Sequence, residues 1–320
     1  MTSRESVKLA IGHVPSIRVP YVIDLCDETW EKLRPFTESK SAVEFLDNDV
    51  FDLPVPWWNW DRLGKDWKEQ ATPSSQASVR GTGNYWDLEE MVKKLKDKHD
   101  KYVLVRIYGS HFEKANFARG IENFLGDIAG DREFAGKFLR KIIEKNMVML
   151  ENFLNYKEID GVLLGSDWGA QNNLLMSPAI WRKLIKPGEK KEYDLIHSYG
   201  KDVWLHSCGN ITEIIPDLVE MGVDVLNPVQ PEAMDISVLK QTYNKNLTFW
   251  GGIGTQHVLL RSTPDEVKKE ARRIRNMMAV NGGYIFSPSQ SVQADVPVEN
   301  VFALLEVARE GRMEEVRLTL

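Results

Sequence analysis

The sequence predicts an α/β protein, a single (β/α)8 TIM barrel, on three observations. Short β-rich runs alternate with long amphipathic runs along most of the 320 residues. Eight such runs occur, each followed by a stretch with helix signals, which is the element order of a barrel of parallel strands. The Gly-x-Gly-x-x-Gly turn of a doubly wound dinucleotide-binding sheet does not follow the first strand. The length equals two average domains, but single barrels reach the same size. Residues 1–320 are therefore read as one domain.

The strands are expected at 19–25 (VPYVIDL), 78–83, 102–108 (YVLVRIY), 160–165 (DGVLLG), 202–206 (DVWLH), 223–227 (VDVLN), 246–251 (NLTFWG) and 283–287 (GYIFS). β-Branched content and period support each of these except 78–83, which rests on its place in the order. Helix signals fill the intervals. Ser177–Pro178 reads as an N-cap followed by Pro in the first turn. Pro187 should kink or end the helix that begins there. Gly222 closes the run 211–221 as a left-handed cap. Thr263–Pro264–Asp265–Glu266 is a capping box. Residues 133–156 and 298–311 are long helical stretches. Residues 37–77 are rich in Pro, Trp and charge with little period, and are expected to form an irregular insertion over the barrel mouth.

Composition removes several classes of function. Lys plus Arg is 41 and Asp plus Glu is 47, a net charge of −6. A mildly acidic chain lacks the basic face that nucleic acid or an anionic membrane requires. Two cysteines, Cys26 and Cys208, cannot build a disulfide scaffold and suit a reducing compartment. No run approaches the roughly 18 to 20 apolar residues of a membrane span, and the first 25 residues have no unbroken apolar core of a signal peptide. A cytoplasmic, membrane-free protein is expected. Of the ten Trp, Trp57, Trp58, Trp60, Trp67 and Trp86 crowd one stretch. They read either as a packed or oligomeric surface, such as that of a homodimer, or as a flat wall for an aromatic ligand.

In a barrel, chemistry belongs at the C-terminal ends of the strands, and here those ends are distinctive. The third strand ends at Arg106 and Tyr108, with His111 beyond. The fourth runs into Ser166–Asp167–Trp168. The fifth ends at His206-Ser207-Cys208, where alternation puts Trp204, His206 and Cys208 on one face. Asn227 and Gln230 follow the sixth strand and Gln290 the eighth. His206 and Cys208 side by side can clamp zinc, with Cys26, Gln230, Glu232 or Gln290 as completing ligands. The competing reading is a buried pair that packs and hydrogen-bonds. Asp167 either caps its turn or, beside a Trp wall, acts as a general acid. Tyr108 and His111 are further proton-handling candidates.

Taken together, TSRESVKLAIGHVPSIRVP, GSDWGAQNNLLMSPAIWRKLIKP, KDVWLHSCGNITEIIPDLVEMGVDVLNPVQP, LTFWGGIGTQHVLLRSTPDEV and GGYIFSPSQSVQADVPVENVFALLE resemble the uroporphyrinogen decarboxylase superfamily. The resemblance covers nearly the whole chain and is most specific over 160–305. It implies a (β/α)8 barrel and one of two chemistries. The first is cofactor-free decarboxylation of porphyrinogen acetates. The second is methyl transfer to or from a corrinoid carrier protein, often with zinc. Decarboxylases of the superfamily carry an Arg- and Gly-rich segment of the type RQAGRY near the N-terminus, where this chain reads YVIDLCDETWEKLRPF. A substrate with eight carboxylates needs convergent arginines, and Arg18, Arg34, Arg62, Arg80 and Arg106 are scattered.

The methyltransferase branch is similar in using His-x-Cys plus a later Cys as zinc ligands. His206 and Cys208 match the first two, but Ser289–Gln290 stands where the later Cys would fall. Losing a thiolate argues against activation of a thiol acceptor and for the opposite half-reaction. The resemblance thus implies demethylation of a small donor, such as a methoxylated aromatic, and delivery of the methyl to cob(I)alamin on a corrinoid protein. Asp167, His206 and Tyr108 are the catalytic candidates. His206 and Cys208 are the metal ligands, with zinc. Trp168, Trp57, Trp58, Asn227, Gln230 and Gln290 are the substrate-binding candidates. The alternatives are a uroporphyrinogen-type decarboxylase and a barrel that binds a tetrapyrrole or corrinoid partner without catalysis.

Overall fold

A computed structural model of the chain describes residues 1–55, 57, 85–95 and 100–319. The protein is α/β. Among the described residues, seven strands alternate with helices: β1 (Val50–Asp52), β2 (Tyr102–Ile107), β3 (Gly161–Gly165), β4 (Asp202–His206), β5 (Val225–Val229), β6 (Thr248–Ile253) and β7 (Tyr284–Pro288). Six of the eight expected strands appear, shifted by a few residues at most. The expected strand at 78–83 lies outside the described residues. The chain divides into two compact units. One comprises Met1–Phe51, Asp100–Tyr102 and Asp224–Leu320, and the other Asp52–His99 and Val103–Val223.

In the second unit β2, β3 and β4 are neighbours in that order, all parallel. Leu104 stands opposite Gly161, and Gly165 opposite His206. Leu104, Val105, Val162, Leu163, Leu164, Val203, Trp204 and Leu205 have no exposed surface. Parallel strands covered on both faces read as continuous apolar runs for this reason. The long helix Arg132–Leu154 starts at Asp131, whose carboxylate accepts the Phe134 N–H. The expected break at Pro187 is present. One helix spans Pro178–Leu184, capped by Ser177, and the next, Lys186–Ser198, carries Pro187 in its first turn. Gly222 ends its helix with φ +88°.

In the first unit β5, β6 and β7 are parallel and consecutive. Thr263 and Glu266 form the expected capping box. The segment 19–25 departs from expectation: it makes only two isolated parallel bridges, Tyr21 with Phe286 and Leu25 with Val292. The reason is local. The Asn48 side chain accepts the Ile23 N–H and donates to the Ile23 carbonyl, and the Asp49 carboxylate accepts the Tyr21 N–H. Side chains occupy the backbone groups that a continuous ladder would use.

The insertion expected to be irregular over 37–77 is partly regular. Ser41 and Glu44 form a capping box that starts the helix Ala42–Leu46, and β1 follows. Leu46, Val50 and Leu53 are buried. The Ser-x-x-Glu signal was there to read, but the density of Pro and Trp around it hid a short element. Residues 58–77 lie outside the described residues. Among the described residues no helix is long and apolar enough to cross a membrane.

Asp49, with no exposed surface, ties the first unit together. It accepts from Arg18 at 2.6 Å, from Arg312 at 2.8 Å and from the Tyr21 N–H at 2.9 Å. Removing one member of a buried charged cluster strands the others without their partner. We expect Asp49→Ala to cost about 3–5 kcal/mol, read as a lowered urea midpoint with an unchanged slope.

Candidate functional site

The site grows from the register of β3 against β4. With Gly165 opposite His206, the two strands end level, and the loops beyond them meet. The Ser166 N–H donates to the His206 carbonyl at 2.9 Å, and the Trp168 N–H to Ser207 Oγ at 3.1 Å. The Asn210 N–H donates to the Ala170 carbonyl at 2.8 Å. Two glycines permit this approach. A Cβ on Gly169 would lie 2.5 Å from the Cys208 carbonyl oxygen, and Gly209, at φ +80°, would press a Cβ on the Gly169 backbone. The β2 loop joins the same corner: the Ser110 N–H reaches the Gly165 carbonyl at 3.0 Å, and Ser166 Oγ accepts the Phe112 N–H at 3.2 Å.

These loops gather Asp167, His206 and Cys208, whose ligand atoms all lie within 4.8 Å of one another. Asp167 Oδ1 accepts the Cys208 N–H at 2.8 Å and stands 3.6 Å from His206 Nε2. Cys208 Sγ is 3.4 Å from the same Nε2. All three are half-buried, so the cluster is open on one side. Its donor set of imidazole, thiol and carboxylate suits zinc, with a fourth position for a substrate or water. The carboxylate stands where the sequence left the third ligand open.

Tyr108 is 52% exposed, and its ring meets the His206 imidazole edge-on, centroids 5.0 Å apart. It is the aromatic surface presented beside the cluster. Trp168 is not. It has no exposed surface and packs edge-on against Trp181 at 5.2 Å. Its backbone turns with the loop while its ring goes to the core. It therefore cannot be the stacking wall that its neighbour Asp167 suggested. Trp57 is half-buried, and Trp58 lies outside the described residues. Asn227, buried, and the half-buried Gln230 and exposed Gln290 belong to the first unit. So does Cys26, half-buried, whose thiol contacts Thr29 Oγ1. His111 is fully buried, with Nδ1 3.1 Å from Glu189.

Sequence reasoning missed Glu113. It lies in the first turn of the helix Phe112–Arg119 and accepts the Gly109 N–H at 2.7 Å. Burial, reinforced by the negative charge of nearby Asp167, pushes its carboxyl up to about 7. The residue is separated from Asp167 by more than fifty positions, and only the β2–β3 pairing brings them together. A Glu three residues after Ser110, in the first turn of a helix, looks like an ordinary helix start.

Among known proteins, the family model described as uroporphyrinogen decarboxylase (URO-D) matches residues 82–311. No curated protein matches the chain. The fold is similar to that of a methyltransferase from Methanosarcina mazei, with a TM-score of 0.71 and 17% identity, covering 97% of this chain and 99% of that one. A GH18 chitinase from Flavobacterium johnsoniae aligns at a TM-score of 0.42 and 12% identity, over 92% of this chain and 94% of that one. A D-psicose 3-epimerase aligns at 0.38 and 12% identity, over 88% and 92%.

The raised Glu113 carboxyl has a definite sign in stability. The folded state favours its neutral form, so its stabilisation is complete below about pH 4.5 and is lost as pH rises toward about 7. The loss amounts to about 3 kcal/mol at most, reduced by its residual exposure. Urea titrations between pH 4.5 and 8 should show wild type weakening over this window, and Glu113→Gln should lack that component.

Proposed function

The chain belongs to the uroporphyrinogen decarboxylase family, and we propose that within it the protein is a methyltransferase. In this reading it takes a methyl group from a small donor, a methoxylated aromatic, and delivers it to cob(I)alamin carried by a corrinoid protein. The observation that carries the reading is the open cluster of Asp167, His206 and Cys208 beside the exposed ring of Tyr108. The shared fold with the Methanosarcina mazei methyltransferase supports it.

The alternative is decarboxylation of a polycarboxylate, which needs free, convergent arginines. Arg18 is buried on Asp49, Arg34 pairs with Glu31, and Arg106 pairs with Asp52 at 2.7 Å. Arg62 and Arg80 lie outside the described residues. Three of the five arginines already serve acidic partners within the protein.

Each group has a task in this reaction. Tyr108 offers a face for an aryl ring. His206, Cys208 and Asp167 would hold zinc, which when bound supplies a Lewis acid for the donor oxygen. The reduced corrinoid supplies the electron pair that takes the methyl. When the ether C–O bond breaks, its electrons stay on oxygen, a poor leaving group unless it receives a proton. Asp167 is the carboxyl at the open face, and Glu113 behind it holds a proton at a second carboxyl in the same corner. The chain therefore positions the donor in line and shields it, while the nucleophile comes from the partner.

The direct test mixes purified protein, a reduced corrinoid protein and a panel of methyl donors, and follows the cobalt spectrum. Methyl transfer should require the corrinoid acceptor, and porphyrinogens should be untouched. Carboxylate loss from a porphyrinogen, with no methyl transfer from any donor, would establish the decarboxylase instead. Asp167→Asn should slow transfer by about 10² to 10⁴ if Asp167 acts on the leaving oxygen. A rate within about threefold of wild type, well below that range, would reduce Asp167 to a turn residue. His206→Ala and Cys208→Ala should each lose the one zinc per chain held by this cluster. Unchanged zinc content in both would remove them from that role.

A further inference from the structure

A second group of ligating side chains lies in the same unit, fully buried and unused by the reaction above. Glu189 and Glu192 are three apart on the helix Lys186–Ser198, which puts both on one face. His111 stands at the N-cap of the helix Phe112–Arg119. None of the three has any exposed surface, and a ligand atom from each lies within 4.8 Å of the other two. His111 Nδ1 is 3.1 Å from Glu189 Oε1, and Asn146 Nδ2 donates to Glu192 Oε1 at 2.7 Å.

The remaining oxygens are the second observation. Glu192 Oε2 and His111 Nε2 are buried without any hydrogen-bond partner, and beside Glu189 stands the buried hydroxyl of Tyr193. Buried polar atoms nearly always find a partner, and two facing carboxylates cannot both stay charged in an apolar interior unless something neutralises them. The backbone is shaped around the imidazole as well. A Cβ on Gly188 would lie 2.5 Å from His111 Cε1 and 2.8 Å from Ile143 Cγ1, so the adjacent helix turn leaves room for the ring only as glycine.

We propose that His111, Glu189 and Glu192 form a second, thiol-free site for a divalent transition metal. One imidazole and two carboxylates suit zinc, cobalt(II), manganese(II) or iron(II) rather than a soft thiophilic ion. The ion would neutralise the two carboxylates and occupy the Glu192 oxygen that is otherwise stranded. It would be structural, since its ligands are closed from solvent. It would also clamp the start of the helix Phe112–Arg119, and so fix Glu113, two residues beyond His111. In the empty protein burial and the charge of Glu189 push the Glu192 carboxyl well up, so metal binding there would release a proton. The site does not depend on the methyl-transfer reading.

The competing occupant is a proton shared between the two carboxyls, and metal content separates the two. The full chain is stripped with chelator and reloaded with cobalt(II), which reports its ligands by its spectrum. Cys208→Ala removes the thiol of the open cluster. That variant should still bind one cobalt per chain, with a d–d band and no thiolate charge-transfer band. Adding Glu192→Gln, which keeps the shape and the Asn146 contact, should abolish that binding, and Glu189→Gln should do the same. Cobalt or zinc should also raise the melting temperature of Cys208→Ala. Failure of Cys208→Ala to retain a cobalt, or full retention after Glu192→Gln, would overturn the site in favour of the shared proton. If the doubly substituted chain does not fold, the metal-dependent melting of Cys208→Ala decides the matter alone.

Discussion

Asp167 Oδ1 accepts the Cys208 N–H at 2.8 Å, and the chemistry of this corner depends on that bond. The bond is available because Gly165 and His206 are register partners, so β3 and β4 end together. It fixes the β4 loop so that the thiol and imidazole face one carboxylate. Two backbones that approach within the radius of a Cβ at Gly169 and Gly209 leave the loops little freedom to drift. A rigid scaffold carrying reactive groups on short loops is a recurrent arrangement in parallel α/β proteins.

The corner concentrates acidic groups in a way that couples them. Asp167 raises Glu113, and Glu113 accepts the Gly109 N–H of the β2 loop and a backbone N–H from Asp167 of the β3 loop. Both carboxyls are half-buried, and desolvation with the charge of Asp167 raises that of Glu113 to about 7. A raised carboxyl is how a site keeps a proton on a residue type that is otherwise ionised at neutral pH.

Deeper in the same unit, polar groups meet where the strands of the sheet do not reach. The helices Phe112–Arg119, Arg132–Leu154 and Lys186–Ser198 contribute Glu113, Asn146 and the pair Glu189 and Glu192, with His111 as the N-cap of the first. The reactive corner and the buried cluster thus share one helix.

The sequence by itself determined the element order, because apolar runs at period 2 and 3.6 and caps such as Thr263–Glu266 and Ser177–Pro178 act locally. It also determined the strand ends that carry Tyr108, Asp167, His206 and Cys208, since alternation along a strand fixes which side chains share a face. It misjudged 19–25 because Asn48 and Asp49 take its backbone groups, a competition between distant residues that no local window contains. It passed over β1 and the helix Ala42–Leu46 because each is too short to show a period. It turned Trp168 outward because position three past a strand does not say which way a loop will send a ring. Only the tertiary structure decided that Asp167 meets His206, that Glu113 meets Asp167, and that His111 meets Glu189 and Glu192. Those contacts join residues from 39 to 81 positions apart for a reason that is not local: the sheet register and the packing of helices set their distances.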